Sequence, residues 1–117
     1  MIPLSAAQIS EILSAQKISG NREKVTESVT IDSRTASRGD CFFAIIGERL
    51  DGHDFACQAL SAGASIVVAE RTIHTIGTDS ADITVIQVKD TTASLQVLAS
   101  WLRQQLNPTV VGITGSL

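Results

Sequence analysis

Apolar positions in this chain follow two periods, and the switching between them predicts an ordered series of elements. Ile9, Ile12 and Leu13 share one face at helical spacing behind Ser5-Ala6-Ala7-Gln8, a capping-box arrangement in which Leu4 is placed to staple onto Ile9. The spacing predicts a helix over 6–15. Gly20-Asn21-Arg22 reads as a turn, after which Ser28-Val29-Thr30-Ile31-Asp32 is β-branched and alternating, as a strand is. Cys41-Phe42-Phe43-Ala44-Ile45-Ile46 and Ser65-Ile66-Val67-Val68-Ala69 are apolar without alternation, so both predict strands covered on two faces. Between them Phe55, Ala56, Ala59 and Leu60 form a helical stripe ended by Gly63. Ile83-Thr84-Val85-Ile86-Gln87-Val88 is a further strand, and Asp90 is placed to cap a helix to about residue 106 with Leu95, Leu98, Ala99, Leu102 and Leu106 on one face. Asn107-Pro108 stops that helix, and Thr109-Val110-Val111-Gly112-Ile113-Thr114 opens another strand. Strands alternating with helices predict an α/β fold with a mixed or parallel sheet. The irregular polar stretch 72–82 is where a domain boundary is expected.

Composition narrows the function classes. A chain of 117 residues, 44% hydrophobic and 18% charged, has the length of one ordinary domain and enough apolar material for a packed core. Nine Lys and Arg against twelve Asp and Glu give a net charge of −3, which argues against nucleic acid and anionic membranes as partners. The N-terminus lacks a basic region followed by a long apolar run, and no window approaches the roughly 20 apolar residues of a membrane span. Cys41 and Cys57 lie inside apolar stretches and read as core-filling thiols in a reducing compartment, so a cytoplasmic location is expected. The cysteines and the histidines His53 and His74 have no metal-ligand spacing, and no metal site is expected.

Two places carry candidate chemistry. Asp32-Ser33-Arg34 stands at one strand end, and Gly47-Glu48-Arg49-Leu50-Asp51-Gly52-His53-Asp54 follows the next strand. If those strands are parallel neighbours, both loops leave the carboxyl edge, where α/β proteins place ligands. Ser33 then offers a hydroxyl, Arg34 and Arg49 offer cationic forks for phosphate or carboxylate, and Gly47 and Gly52 allow close backbone approach. A purely local reading stays open beside this one: Asp32 and Ser33 as a turn, Arg34 paired with a nearby carboxylate, Asp51 as a helix cap and His53 as a local hydrogen bonder. The second place is the strand running into Thr114-Gly115-Ser116-Leu117, which is how phosphate-binding loops open, although the Lys and metal-binding hydroxyl of such a loop do not follow. A plain turn is the other reading there. No nucleophile, base and orienting group assemble from the sequence, so no catalytic residue is assigned.

The strings Asp32-Ser33-Arg34, Gly39-Asp40-Cys41-Phe42-Phe43-Ala44, Gly47-Glu48-Arg49-Leu50-Asp51-Gly52-His53-Asp54-Phe55, Asp90-Thr91 and Gly112-Ile113-Thr114-Gly115-Ser116, taken in order, resemble the N-terminal part of the Mur ligases over nearly the whole chain. Within that family the strings look most like the branch that joins D-alanyl-D-alanine to UDP-N-acetylmuramoyl-tripeptide (UDP-MurNAc-tripeptide) in peptidoglycan synthesis. The sister branch that adds a diamino acid is an alternative, as is a stand-alone nucleotide-sugar or protein-binding module. The resemblance implies that residues 1–82 form a small UDP-sugar-binding domain and that 83–117 begin a central ATP-binding domain, cut before the Gly-Lys-Thr of its loop. It implies uridine contacts at Ile31, Ser33, Glu48, Arg49 and Leu50, within a substrate site spanning Ile31, Ser33, Arg34 and 47–52. Thr114, Gly115 and Ser116 match the opening of the family's ATP loop, with Leu117 at a variable position where small or polar residues are usual. ATP and Mg2+ are cofactors of the parent enzyme by this resemblance, and the 117-residue chain by itself is expected to be inactive. Its Leu95, Leu98, Leu102 and Val110-Val111 faces are expected to be exposed, self-associated or folded back onto the small domain.

Overall fold

The computed structural model describes residues 2–71 and 83–106. The elements run β1 (Leu4–Ser5), α1 (Ala6–Leu13), β2 (Lys17–Ser19), β3 (Val25–Thr26), β4 (Ser28–Thr30), β5 (Asp40–Phe43), a 3-10 turn (Gly52–Phe55), α2 (Ala56–Ser61), β6 (Ile66–Ala69), β7 (Thr84–Gln87) and α3 (Thr91–Leu106). Five strands form one sheet in the order β2-β7-β6-β5-β4, and β1 and β3 form a two-residue antiparallel pair apart from it. β4, β5, β6 and β7 are mutually parallel, while β2 closes the far edge antiparallel to β7. The α/β class with a mixed sheet expected from the strand and helix pattern is therefore the one observed.

The apolar runs explain the layering. In β5 and β6 every residue is buried, so both faces of the sheet need cover. Alternation along each strand sends Cys41, Phe43, Ile66, Val68 and Ile86 to one face, where Leu4, Ile9 and Leu13 of the N-terminal segment and Leu98 of α3 pack on them. Phe42, Ala44, Val67 and Ala69 point to the other face, covered by Ala56, Ala59 and Leu60 of α2. Burial pushes the Cys41 thiol far up from its ordinary range, so it serves as an inert core filler. Cys57, on α2, is only half-buried.

Local chemistry sets the element ends. Ser5 accepts from the Gln8 N–H while the Gln8 side chain accepts from the Ser5 N–H, completing the expected capping box on α1. That helix ends two residues earlier than its spacing predicted, because Ser14 takes a left-handed conformation (φ 52°) and turns the chain into β2. The pairs β1·β3 and β2 were not foreseen; each strand is two or three residues long, too short for a periodic signal. At the other end Asp90 accepts from the Ala93 N–H and caps α3 as expected.

Elements on either side of the stretch 72–82 share one sheet and one buried cluster among the described residues. β7 lies inside the sheet, paired with both β6 and β2, and Leu98, 1% exposed, sits in the cluster with Ile9 and Val68. Leu95, Trp101 and Leu102 pack against the same cluster, so the apolar stripe of α3 is folded onto the small domain. The strand expected over 109–114 and the irregular stretch 72–82 lie outside the described residues.

Gly20 is where the backbone is most constrained. It takes φ +93°, and a Cβ built there would lie 1.9 Å from the Ile83 carbonyl oxygen. Gly39 has a similar φ of +85° but open space around it. The expected outcome in thermal or urea unfolding is that Gly39→Ala costs about 1–2 kcal/mol, the left-handed penalty alone. Gly20→Ala is expected to cost about 2–4 kcal/mol, since the clash adds to that penalty. Equal losses at the two sites would contradict the close approach of β7 to this turn.

Candidate functional site at the carboxyl edge of the sheet

β4 and β5 are hydrogen-bonded parallel neighbours in register Ser28↔Asp40, Val29↔Cys41 and Thr30↔Phe42. The loops that follow them therefore leave from the same edge of the sheet, which is the condition the sequence reading set for a shared site.

The first loop is rigidified by its own polar groups. The Asp32 N–H donates to Thr30 Oγ1 at 3.1 Å, and the Thr35 N–H donates to the Asp32 carbonyl at 3.1 Å. Arg34 folds back on Asp32, its backbone N–H and Nε donating to Oδ1 and its Nη2 to Oδ2 at 3.0 Å. These bonds hold the Asp32 carboxyl below its usual range, the Arg34 side chain contributing most. The local reading of Asp32 and Arg34 is thus realised, yet the guanidinium stays 82% exposed and presents its remaining donors to solvent. Ser33 is 7% exposed and donates its hydroxyl proton to Gln58 Oε1 on α2 at 3.1 Å. Its hydroxyl ties the loop to the helix and has only lone pairs left for a ligand. Ile31, three residues before Arg34, is 55% exposed and offers an apolar platform.

The second loop is a small hairpin. The Gly47 N–H donates to the Leu50 carbonyl at 2.8 Å, the Gly52 N–H donates to the Ile45 carbonyl at 2.8 Å, and Ile46 bridges Asp51 between them. Gly52 is required by packing, because a Cβ would lie 2.6 Å from the Ile45 nitrogen. Residues 47–50 are all exposed, with Leu50 65% exposed, and among the described residues none of their side chains has a hydrogen-bond or ion-pair partner. Glu48 and Arg49 therefore stand free at the tip. No hydrogen bond or ion pair joins the two loops among the described residues; what they share is the sheet edge.

Asp51 is the anchored member of the hairpin. Its Oδ1 accepts from the His53 N–H at 2.9 Å and lies 2.6 Å from His53 Nδ1, and its Oδ2 accepts from Arg71 Nη2 at 2.8 Å. The His53 backbone N–H foremost, with Arg71 and the imidazole adding to it, holds this carboxyl well below the ordinary range against the opposing effect of burial. The imidazole itself is buried, and its Nε2 accepts from the Glu70 backbone N–H at 2.8 Å. An accepting Nε2 carries no proton, so Nδ1–H is the donor to Asp51 and the ring is neutral. Both nitrogens are committed, which leaves His53 no lone pair for general-base work.

The cluster extends to α3. Glu70 Oε2 accepts from the Thr91 N–H at 2.9 Å and lies 3.0 Å from Thr91 Oγ1, which also reaches the Ala44 carbonyl at 2.9 Å. A carboxylate at a helix N-terminus is favoured by the exposed N–H groups there. Sequence reasoning did not single out Glu70 or Arg71, and it named Thr91 only within the string Asp90-Thr91, without a role. The available signal was the pair Glu70-Arg71 directly after an all-apolar strand, two charges that must sit at its carboxyl edge. Thr114, Gly115 and Ser116, expected as the start of an ATP loop, lie outside the described residues, as does His74. Among the described residues no group of His, Cys, Asp or Glu is placed to hold a metal ion, and no helix is long and apolar enough to cross a membrane.

Comparison with known proteins bears on what this edge is for. The family described as "Mur ligase family, catalytic domain" matches residues 25–111. The UDP-N-acetylmuramoyl-tripeptide--D-alanyl-D-alanine ligase of Haemophilus influenzae is 38% identical over 118 residues, covering 99% of this chain and 24% of that protein. The UDP-N-acetylmuramoyl-L-alanyl-D-glutamate--2,6-diaminopimelate ligase of Bacillus cereus is 41% identical over 93 residues, covering 76% of this chain and 17% of that protein. A crystal structure of MurF from Acinetobacter baumannii superposes with a TM-score of 0.75 at 28% identity, over 90% of this chain and 22% of that one. The chain thus spans about a quarter or less of the length of the relatives it matches.

The polar cluster makes a pH prediction. A carboxyl whose folded pKa is depressed stabilises the fold above its unfolded pKa, and that stability is lost as pH falls through the folded value. Asp51 is in this class. Asp40 joins it, since hydrogen bonds from Ser28 and Ser37 outweigh the opposing effect of burial. Stability is expected to be level from neutral pH down to about pH 4 and to decline below it. Asp51→Asn should lower stability at pH 7 by about 1 kcal/mol and make the acid decline shallower. Urea titrations at pH 7, 4 and 3 on both proteins measure this; an unchanged acid slope would remove Asp51 from the cause.

Proposed function

The chain belongs to the Mur ligase family, and from that premise we propose that it is the part of a peptidoglycan ligase that holds the uridine diphosphate end of a UDP-MurNAc-peptide. The observation that carries this reading is the placement of the two loops, on parallel neighbours β4 and β5, at one carboxyl edge. Ile31 and Leu50 offer exposed apolar surface for a base, Arg34 and Arg49 offer guanidinium forks for phosphate, and the 47–50 backbone is open to approach. The site in this reading comprises Ile31, Ser33, Arg34, Gly47, Glu48, Arg49, Leu50, Asp51 and Gly52. Ser33 and Asp51 hold the loops in shape, while Ile31, Arg34, Arg49 and Leu50 meet the ligand.

The parent enzyme in this reading works in the cytoplasm and joins D-alanyl-D-alanine to UDP-MurNAc-tripeptide, the reaction for which the H. influenzae relative is named. ATP and Mg2+ supply carboxylate activation there when bound. The described residues contribute recognition and orientation of the nucleotide end, and the ATP-binding unit begins beyond α3, with Thr114, Gly115 and Ser116 at its entrance. The 117-residue chain accordingly binds without turning over. The B. cereus relative supports a second reading, the sister ligase that adds a diamino acid.

An NMR titration of the labelled chain tests the proposal with UDP, UDP-MurNAc-tripeptide, UDP-MurNAc-dipeptide and, separately, ATP with magnesium. Saturable shifts at 31–34 and 47–52 with the uridine ligands and none with ATP are expected. Tighter binding of the dipeptide than of the tripeptide would favour the sister ligase, and the absence of any response to uridine ligands would sink the assignment of this edge. Arg49→Ala is expected to weaken UDP binding about tenfold while leaving stability within about 0.5 kcal/mol, since its exposed side chain has no hydrogen-bond or ion-pair partner among the described residues.

A further inference from the structure

The exposed hairpin tip raises a question of positioning. Residues 47–50 have no side-chain anchor among the described residues, and a free four-residue tip would cost a ligand the entropy of ordering it. One polar side chain of the hairpin is anchored, that of Asp51, held by the His53 backbone N–H, the His53 ring and Arg71, and of these the ring alone reaches on to β6.

We propose that His53 is a positioning residue for the hairpin tip, a neutral bridge that ties Asp51 to the Glu70 backbone and so to the end of β6. The proposal rests on the assignment of the tip as the nucleotide contact and adds how that contact is held ready. Four features point to it. The side chain is 2% exposed, so it touches no ligand directly. Its two nitrogens face two different elements, Nδ1 the hairpin base and Nε2 the Glu70 N–H, and a single ring fixes the distance between them. The Glu70 N–H is the first backbone donor after β6 (Ile66–Ala69), left without a strand partner, so the ring also satisfies a group that the sheet does not. Glu70 is in turn held by its carboxylate on Thr91, and Thr91 reaches the Ala44 carbonyl just past β5, so the acceptor end of the bridge stands on three elements of the core. Arg71 adds a second tie on Asp51, but from a side chain 53% exposed, where an ion pair fixes position weakly.

The bridge has a directional requirement that tests it. His53→Asn keeps an amide N–H near the Nδ1 position for Asp51 and loses the acceptor for the Glu70 N–H. Two readouts are taken at a temperature where the variant is fully folded by circular dichroism: hydrogen exchange at the Gly47 and Gly52 amides, which close the hairpin, and the Kd for UDP. Exchange at those two amides is expected to rise about tenfold relative to Phe42 and Val67 in the core, and UDP binding to weaken about fivefold to tenfold. Ser5→Ala, which destabilises α1 without touching this edge, is the control and should change neither ratio. Thr91→Val removes the hydroxyl ties to Glu70 and Ala44 and should move both readouts the same way by less, which keeps the test open if His53→Asn does not fold.

Unchanged exchange at Gly47 and Gly52 overturns the proposal whatever the affinity does, because the bridge would then not hold the hairpin. Faster exchange with an unchanged UDP Kd also overturns it, since the tip would not need holding. If the unsubstituted chain gives no UDP response while the variant still frees the hairpin, the nucleotide assignment of the edge fails and His53 stands as the residue that positions this hairpin.

Discussion

The constraint on which this fold depends is that β5 and β6 are apolar on both faces. A strand such as Cys41-Phe42-Phe43 can be buried only in the interior of a sheet with cover on each side, and each of its large side chains gains roughly 1.5–3 kcal/mol from leaving water. From that requirement follow the parallel pairing of β4 to β7, the placement of α2 on one face and the placement of α1 and α3 on the other. The amphipathic stripe of α3 is not spare surface in this arrangement. Leu98 shares with Leu4, Ile9 and Leu13 the cover of the face formed by Phe43, Val68 and Ile86.

Burying the strands on both faces creates a second problem at their ends. A central strand that stops leaves carbonyl and N–H groups at the sheet edge, and an unsatisfied one costs about 1–3 kcal/mol. The edge after β5 and β6 meets this with side chains from elsewhere in the chain: Thr91 for the Ala44 carbonyl and His53 for the Glu70 N–H. The polar cluster therefore arises from the same physics as the core. Because it satisfies buried backbone while its outer members Asp51 and Arg71 reach solvent, it turns the sheet edge into a firm base for exposed loops. That is the mechanical condition for a binding site, since ligand contacts gain when the groups making them are already held.

How much of this is legible in sequence depends on the length over which each feature is written. The strands at β4, β5, β6 and β7 and the helices α1 and α3 each spread a pattern over enough residues to read, and the caps at Ser5 and Asp90 mark helix starts. β1, β2 and β3 hold two or three residues and carry no pattern; they exist because other strands offer them an edge. The shared edge of the two loops was inferable once β4 and β5 were taken as neighbours. The local reading of Asp32, Arg34 and Asp51 proved true together with the exposure that a ligand site needs, so the two readings were never exclusive. The bridge through His53 was out of reach, because it joins residues 17 apart in one step and 21 apart in the next. Only a fold brings such groups together.

The stretch around residue 82 poses the opposite problem, a local signal that bears on a global property. A polar stretch of eleven residues between two strands resembles a linker, and in composition it is one. Yet what decides membership of a domain is where the apolar faces on either side of the stretch find cover. Ile86 lies in the same buried cluster as Ile9 and Cys41, and Val67 pairs in register with Val85. Removing β7 would leave β6 with an unpaired edge and would strand β2, whose one sheet partner among the described residues is β7. The smallest piece of this chain that keeps its sheet intact therefore includes β7, and the piece that keeps the sheet covered also includes α3.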